Sequence, residues 1–133
     1  MKIQFANPII FPSNLQTSKH FYHDILGLII LEEDSNFILF EGDFGIHANA
    51  GEFWARIFGK AIDPSELSAN KSSLLYFQTD DIENTYQLLE HRVDLIHPLR
   101  KEPWGETVFR FYDPDGYIIE MGESSFTPED DNM

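Results

Sequence analysis

The chain has 133 residues, a formal net charge of −14 and no cysteine. This length fits one domain, and the lack of cysteine excludes disulfides, thiolate metal sites and cysteine nucleophiles. The acidity argues against a nucleic-acid partner, because it repels phosphates and no basic stripe offsets it. No apolar run approaches the roughly 18–20 residues of a membrane span, and the N-terminus lacks the apolar core of a secretory signal. We therefore expect a cytoplasmic protein without a membrane partner.

The first half of the chain predicts a strand, a helix and three more strands. A capping-box pattern, Ser13 followed by Gln16, marks the helix start. Gly27 stands where a glycine is expected just past the helix end. The predicted strands cover residues 3–11, 28–31, 37–40 and 45–48, and the predicted helix covers 14–26.

The second half repeats this plan. Asp80 followed by Glu83 predicts a second helix start, with the helix ending near Arg92. The predicted strands cover residues 74–77, 95–97, 107–112 and 117–121. A single offset of 67 positions superimposes the two helix patterns, so that Leu15 falls on Ile82. The chain therefore reads as two copies of one strand-helix-strands unit.

One turn can be predicted directly from its residue types. Asp113-Pro114-Asp115-Gly116 has the residues of a type I turn, and Gly116 suits the left-handed position of a hairpin bulge. In that geometry Asp113 pairs with Tyr117, and Arg110 lies opposite Glu120. A carboxylate in the middle of an apolar strand is uncommon. A cross-strand ion pair with Arg110 would explain Glu120 without any catalytic role.

Two segments resemble the vicinal oxygen chelate superfamily, which includes glyoxalases, bleomycin- and fosfomycin-resistance proteins, and extradiol dioxygenases. They are residues 21–28, Phe-Tyr-His-Asp-Ile-Leu-Gly-Leu, and residues 109–120, Phe-Arg-Phe-Tyr-Asp-Pro-Asp-Gly-Tyr-Ile-Ile-Glu. The likeness extends over residues 5–123. It implies an α+β fold of two βαβββ modules whose mixed sheets curl around a cavity, which in many members holds a divalent metal.

This resemblance sets the expected domain organisation. One glyoxalase/bleomycin-resistance-like domain covers residues 1–126. Module one covers 1–50, a linker with an amphipathic piece covers 51–71, and module two covers 72–126. Residues 127–133 form an acidic tail without an apolar pattern, which we expect to be disordered.

The resemblance places metal ligands on the first and last strands of each module, here at Asn7, His47, Leu74 and Glu120. Leu74 cannot bind a metal, and Asn7 is a poor ligand for zinc or nickel. A divalent metal is therefore an open expectation with an incomplete ligand set, for which His47 and Glu120 are the remaining donors. Glu120 is also the candidate catalytic residue. The competing interpretation of His47 is an ordinary, partly buried strand histidine.

The candidate substrate pocket adds residues from the second module to these positions. Trp104 lies in the loop before a pocket strand, and Arg110 and Ile118 flank Glu120 in the predicted hairpin. Together with Asn7 and Leu74 they make up the predicted wall of a cavity between the modules. The expected ligand is a small molecule.

Three function classes follow. The first is a metal-assisted lyase, isomerase or dioxygenase in which Glu120 is a ligand or base. The second is a metal-free protein that binds and sequesters a drug-like or aromatic molecule, and the third is a structural domain without a ligand. The missing donors favour the second class, while His47 and Glu120 keep the first open. Phe53, Trp54 and Phe58 in the linker lead us to expect a homodimer.

Overall fold

The protein is described here by a computed structural model, which covers residues 1–61, 63 and 73–124. The chain divides into two compact units, Met1–Ser68 and Ala69–Met133. The division falls inside the predicted linker, and the predicted acidic tail lies outside the described residues. Among the helices of the described ranges, none has both the length and the apolar character that crossing a bilayer requires.

The first unit is a four-stranded mixed sheet with helices. Its strands are β1 (Ile9–Ile10), β2 (Ile30–Glu33), β3 (Phe37–Phe40) and β4 (Phe44–His47). The sheet order is β1-β4-β3-β2, in which β1 runs parallel to β4 and the other neighbours are antiparallel. The helices are α1 (Leu15–Lys19), which continues as a π-helical segment (His20–Ile25), and α2 (Ala50–Phe58).

The second unit repeats this topology. Its elements are β5 (Leu75–Thr79), α3 (Ile82–Leu89), β6 (Asp94–Lys101), β7 (Thr107–Tyr112) and β8 (Ile118–Glu123). The sheet order is β5-β8-β7-β6, and β5 runs parallel to β8. Two βαβββ modules, and with them the α+β fold class, are therefore confirmed.

The two helix starts confirm the internal repeat. Asn14 caps α1 by accepting a hydrogen bond from the Thr17 backbone at 3.0 Å, and Asp81 caps α3 through the Asn84 backbone at 3.1 Å. Both caps lie one residue after the predicted ones, and they are 67 positions apart. The same shift in both units shows that the offset was right and that the assigned cap residues were wrong. A short side-chain oxygen at N-cap satisfies a backbone N–H that the helix itself cannot.

One face of each sheet packs against its own helix. In the first unit Ile38, Phe40, Phe44 and Ile46 are buried, and the Tyr22 ring contacts the two phenylalanines. In the second unit Phe109, Phe111, Ile119 and Met121 take the same role, with Tyr86 of α3 packed edge-on against Phe109. Because side chains alternate along a strand, the residues between these core positions project from the opposite face.

Several strand boundaries differ from the predicted ones. β1 contains only Ile9 and Ile10, so Asn7 precedes the strand in which it was expected, and Leu74 directly precedes β5. β6 continues through Pro98, which is tolerated because β6 is an edge strand. The strand predicted over residues 95–97 is therefore longer in the structure, where it covers Asp94–Lys101.

The predicted hairpin turn is confirmed. The Asp113 backbone donates to the Tyr117 carbonyl at 2.9 Å, and Gly116 has a φ of 86°. The register pairs Tyr112 with Ile118 and Arg110 with Glu120. The turn thus determines which residues face each other across β7 and β8.

Gly116→Ala should lower the free energy of unfolding by about 1–2 kcal/mol, because a Cβ is disfavoured in the left-handed region. Gly116→Asn is the matched control and should lose less stability than Gly116→Ala, since asparagine tolerates this conformation better than alanine does. Urea denaturation of the three proteins measures both values. A stabilised Gly116→Ala variant would contradict the left-handed turn.

Candidate functional site

Glu120 lies at the centre of the second sheet, with a paired residue on the neighbouring strand at each side. It is paired with Tyr76 across β5 and with Arg110 across β7. The three side chains share the face opposite the core residues Phe109 and Met121. We call this surface, which also includes Gly122, the polar face.

Arg110 binds the Glu120 carboxylate with two nitrogens. Nε donates to Oε1 at 2.7 Å, and Nη2 lies 2.6 Å from the same oxygen. Both side chains are largely buried, with exposed fractions of 16% for Arg110 and 12% for Glu120. Charge-assisted bonds of this kind are the strong ones in proteins, so Glu120 is held here as a hydrogen-bond acceptor. The predicted cross-strand pair is confirmed.

A second carboxylate completes the surroundings of Arg110. Glu102 Oε1 accepts from Arg110 Nη1 at 3.1 Å and from Arg100 Nε at 2.7 Å. Burial lowers the pKa of Arg110, but its hydrogen bonds to Glu120 and Glu102 outweigh this effect and leave the pKa above its ordinary value. The hydrogen bond from Arg100 lowers the pKa of Glu102, against the opposing effect of burial. Arg110 and Glu102 are therefore charged at neutral pH.

His97 contributes an uncharged acceptor to this network. Arg110 Nη1 lies 3.0 Å from His97 Nε2, and His97 Nδ1 lies 2.7 Å from the Pro98 carbonyl oxygen. A guanidinium group can only donate, so Nε2 must accept. Nδ1 must then carry the proton that it donates to Pro98, which assigns the neutral tautomer.

Tyr76, Glu106 and Trp104 form a second group on the polar face. The Tyr76 hydroxyl donates to Glu106 Oε2, and Trp104 Nε1 donates to Glu106 Oε1 at 3.3 Å. The hydrogen bond to Glu106, followed by burial, raises the pKa of Tyr76. A Cβ on Gly122 would lie 2.6 Å from Glu106 Oε2 and 2.8 Å from the Tyr76 hydroxyl oxygen. Gly122 therefore leaves the space in which this pair forms.

The second unit thus brings several predicted site residues onto or beside one surface. Glu120, Arg110 and Ile118 project from the polar face, and Trp104 reaches it through Glu106. Leu74 is exposed just before β5. Sequence reasoning did not name Tyr76, His97, Arg100, Glu102, Glu106 or Gly122 as site residues. Tyr76 and Gly122 had a signal in the sequence, because each follows a predicted site residue of the same strand, Leu74 or Glu120, by two positions and so shares its face.

His47 and Asn7 belong to the first unit. His47 Nδ1 lies 2.5 Å from the Ala48 carbonyl oxygen, and its ring packs against Phe11, Phe37 and Phe53 at centroid distances of 5.6, 6.0 and 5.1 Å. The Asn7 amide donates to the Pro8 carbonyl at 3.1 Å.

The strand registers of the two sheets identify which residue of the first unit corresponds to Glu120. Ile9 is paired with Gly45, and Tyr76, 67 positions later, is paired with Glu120. By this offset the counterpart of Glu120 in the first unit is Gly45. His47 lies two residues farther along the same strand, on the same face as Gly45.

The residues at the ligand positions implied by the family do not fit a tight transition-metal site. In the described ranges, no three His, Asp or Glu side chains form a group that could hold a metal ion. Leu74 has no donor atom, Asn7 uses its amide nitrogen on a backbone carbonyl, and Glu120 Oε1 accepts from Arg110. The roles predicted for His47 and Glu120 as metal ligands, and for Glu120 as a catalytic residue, stay predictions.

The Arg110–Glu120 pair makes a stability prediction. Arg110→Met should cost about 3 kcal/mol, because it leaves the buried Glu120 carboxylate without its guanidinium partner, whereas Glu102 keeps its hydrogen bond from Arg100. Adding Glu120→Leu should restore part of this loss, since the uncompensated carboxylate is then removed. Urea denaturation measures the free energy of unfolding of each variant. Arg92→Met, which replaces an exposed arginine, is the matched control. A double variant no more stable than Arg110→Met would show that Glu120 is not the charge that Arg110 compensates.

The Tyr76 phenol should ionise above its ordinary pKa of about 10. A raised phenol pKa stabilises the fold below the unfolded pKa, and this contribution is lost as pH rises through the folded pKa. The difference in phenolate absorbance between the wild type and Tyr76→Phe isolates this residue. Gly122→Ala should bring its pKa back towards the ordinary value, because the added Cβ displaces Glu106. An unchanged titration in Gly122→Ala would contradict the contact.

Comparisons with known proteins agree with this architecture. A family model described as a glyoxalase-like domain matches residues 5–125. YraH, an uncharacterized protein of Bacillus subtilis (strain 168), is 32% identical over 114 residues, which cover 82% of this chain and 89% of YraH.

Solved structures share the fold. A protein of unknown function from Agrobacterium tumefaciens str. C58 is 42% identical with a TM-score of 0.84, covering 93% of this chain and 96% of that one. A lactoylglutathione lyase from Agrobacterium tumefaciens has a TM-score of 0.65 at 18% identity, covering 91% and 93% of the two chains. The family model spans both βαβββ modules, and the solved structures reproduce their fold. The chain therefore belongs to the glyoxalase-like domain family of the vicinal oxygen chelate superfamily.

Proposed function

We propose that this protein binds a small organic cation on the polar face of its second unit, without a tightly held transition metal. The observation that carries this proposal is the engagement of Glu120 by two nitrogens of Arg110. This pairing favours a fixed acceptor over a metal ligand, because Oε1 already accepts from the guanidinium group.

The charges around Glu120 support a cationic ligand. Three carboxylates, from Glu102, Glu106 and Glu120, belong to the polar-face network, against the guanidinium groups of Arg100 and Arg110. The network therefore has an excess of negative charge and an excess of acceptor atoms. A ligand with N–H donors and a positive charge complements both.

Aromatic surface next to these carboxylates supports a ligand with an apolar part. Tyr76 is 44% exposed and Trp104 is 66% exposed, and both donate to Glu106. Aromatic faces attract cations and stack against flat rings. Small-molecule sites combine apolar walls with a few placed polar groups, and this surface provides both.

The test uses benzamidine, a flat aromatic cation, with benzoate as its anionic counterpart. The Trp104 indole N–H contacts Glu106, so its NMR resonance should move when benzamidine binds, while the Trp54 resonance reports any change elsewhere. Glu120→Gln should weaken benzamidine binding at least about fivefold, because it removes a charge that faces the ligand. Glu123→Gln, at the exposed end of the same strand, is the matched control. Equal shifts with benzoate, no shift with benzamidine, or no effect of Glu120→Gln would overturn the proposal.

A metal-assisted lyase, isomerase or dioxygenase is the alternative, and calorimetric titration separates the two. We expect zinc, nickel and manganese to bind the wild type more weakly than micromolar, because two donors do not complete a site. Glu120→Gln should give the same weak binding. Sub-micromolar binding by the wild type that Glu120→Gln loses would instead support the enzyme.

A further inference from the structure

The first unit contains an open pocket of about 610 Å³. Its walls come from the turn between β2 and β3, from the facing ends of β3 and β4, and from α2. All of its lining residues lie between Asp34 and Arg56, so it shares no residue with the polar face of the second unit. Its volume falls within the roughly 300–1,000 Å³ that is typical of sites for small organic molecules.

Aromatic rings form the apolar part of this pocket. His47 lies between Phe37 and Phe53, with centroid distances of 6.0 and 5.1 Å. The short contact of His47 Nδ1 with the Ala48 carbonyl oxygen requires the proton on Nδ1. In the neutral ring, Nε2 therefore has the lone pair and is an acceptor. This arrangement suits a flat ring that stacks and also donates a hydrogen bond.

Backbone and side-chain hydrogen bonds hold the pocket rim in place. The Ala48 backbone donates to the Asn36 carbonyl at 2.7 Å, and Asn49 Nδ2 donates to Asn36 Oδ1 at 3.0 Å. These bonds join the β2–β3 turn to the start of α2. A rim joined in this way loses less conformational entropy when a ligand binds than a rim without these hydrogen bonds would lose.

The charged side chains of the pocket favour a basic ligand. Asp34 and Glu52 provide two carboxylates, against the single guanidinium of Arg56. The chain as a whole has a net charge of −14, so long-range attraction also favours a cation. The aromatic wall and the acidic rim are separate observations that point to the same ligand chemistry.

We infer that this pocket binds a small molecule in which an aromatic ring is joined to a basic amine. The ring stacks against His47 and Phe53, and the ammonium group lies towards Asp34 and Glu52. The inference does not depend on the proposed site in the second unit, because the two have no residue in common.

Three indole compounds of similar size test the charge requirement: tryptamine, a cation; tryptophol, neutral; and indole-3-propionate, an anion. Titration followed by amide NMR should show tryptamine shifting residues 34–37 and 47–56. The anion should bind at least about tenfold more weakly than tryptamine, because two carboxylates repel it. Equal binding of the three compounds, or shifts confined to other residues, would overturn the inference.

Glu52→Gln and Glu83→Gln provide the matched variants. Both glutamates lie in the first turn of a helix, so the two substitutions have the same effect on the helix dipole. Glu52→Gln should weaken tryptamine binding about fivefold and leave tryptophol binding unchanged, because only the charged ligand uses the carboxylate. Glu83→Gln should change neither. If both variants weaken tryptamine equally, net charge alone explains the binding and the pocket is not the site.

Glu120→Gln separates this inference from the proposed function. The tryptamine affinity that is read from the amide shifts of residues 47–56 should be unchanged in Glu120→Gln, whereas Glu52→Gln leaves the affinity for benzamidine at Trp104 unchanged. Loss of tryptamine binding in Glu120→Gln would place the ligand in the second unit and would overturn the pocket assignment. Thermal unfolding of each variant confirms that it is folded before it is titrated.

Discussion

The arrangement of the second unit depends on the burial of one carboxylate. Glu120 lies in the middle of the central strand β8, where an unpaired charge would be costly. Arg110 compensates that charge only in the register in which it lies directly across from Glu120. A one-residue slip would send every side chain of the strand to the other face. The turn at Asp113–Gly116 sets the register, and the ion pair in turn positions Arg110 for contact with Glu102 and His97.

The same backbone plan has different chemistry in the two units. By sheet register, Gly45 of the first unit is the counterpart of Glu120 in the second. A Cβ at Gly45 would come within 2.9 Å of the Phe37 ring, so an aromatic side chain fills the space beside it. The second unit instead has an ion pair at this point. The repeat therefore preserved the fold, while the side chains between the core positions diverged.

This divergence explains why membership of the family does not identify an activity here. The family implies donors at equivalent points of two modules, yet this chain has a leucine at one such point and an amide at another. Its remaining carboxylate, Glu120, accepts from a guanidinium group. The ring of His47 is packed among phenylalanines. The polar face of the second unit and the pocket of the first unit both place aromatic side chains beside carboxylates. This combination suits ligand binding.

The sequence by itself determined the features that depend on near neighbours in the chain. The helix starts, the offset of 67 positions and the Asp-Pro-Asp-Gly turn arise from local preferences, and the pairing of Arg110 with Glu120 follows from that turn by counting residues along the two strands. The cap residues were misplaced by one because Ser13 and Asn14 are both good caps, and only the actual backbone path chooses between them.

The tertiary structure decided which distant residues meet. Glu102, Glu106 and His97 join the polar face through the longer β6–β7 hairpin, and Tyr76 joins it through parallel pairing of β5 with β8. Periodicity cannot foresee these contacts, because strand register between distant segments depends on the whole sheet. The pocket beside His47 could not be predicted from the sequence for the same reason. Its walls come from a turn, two strand ends and a helix, which are brought together only when the first unit folds.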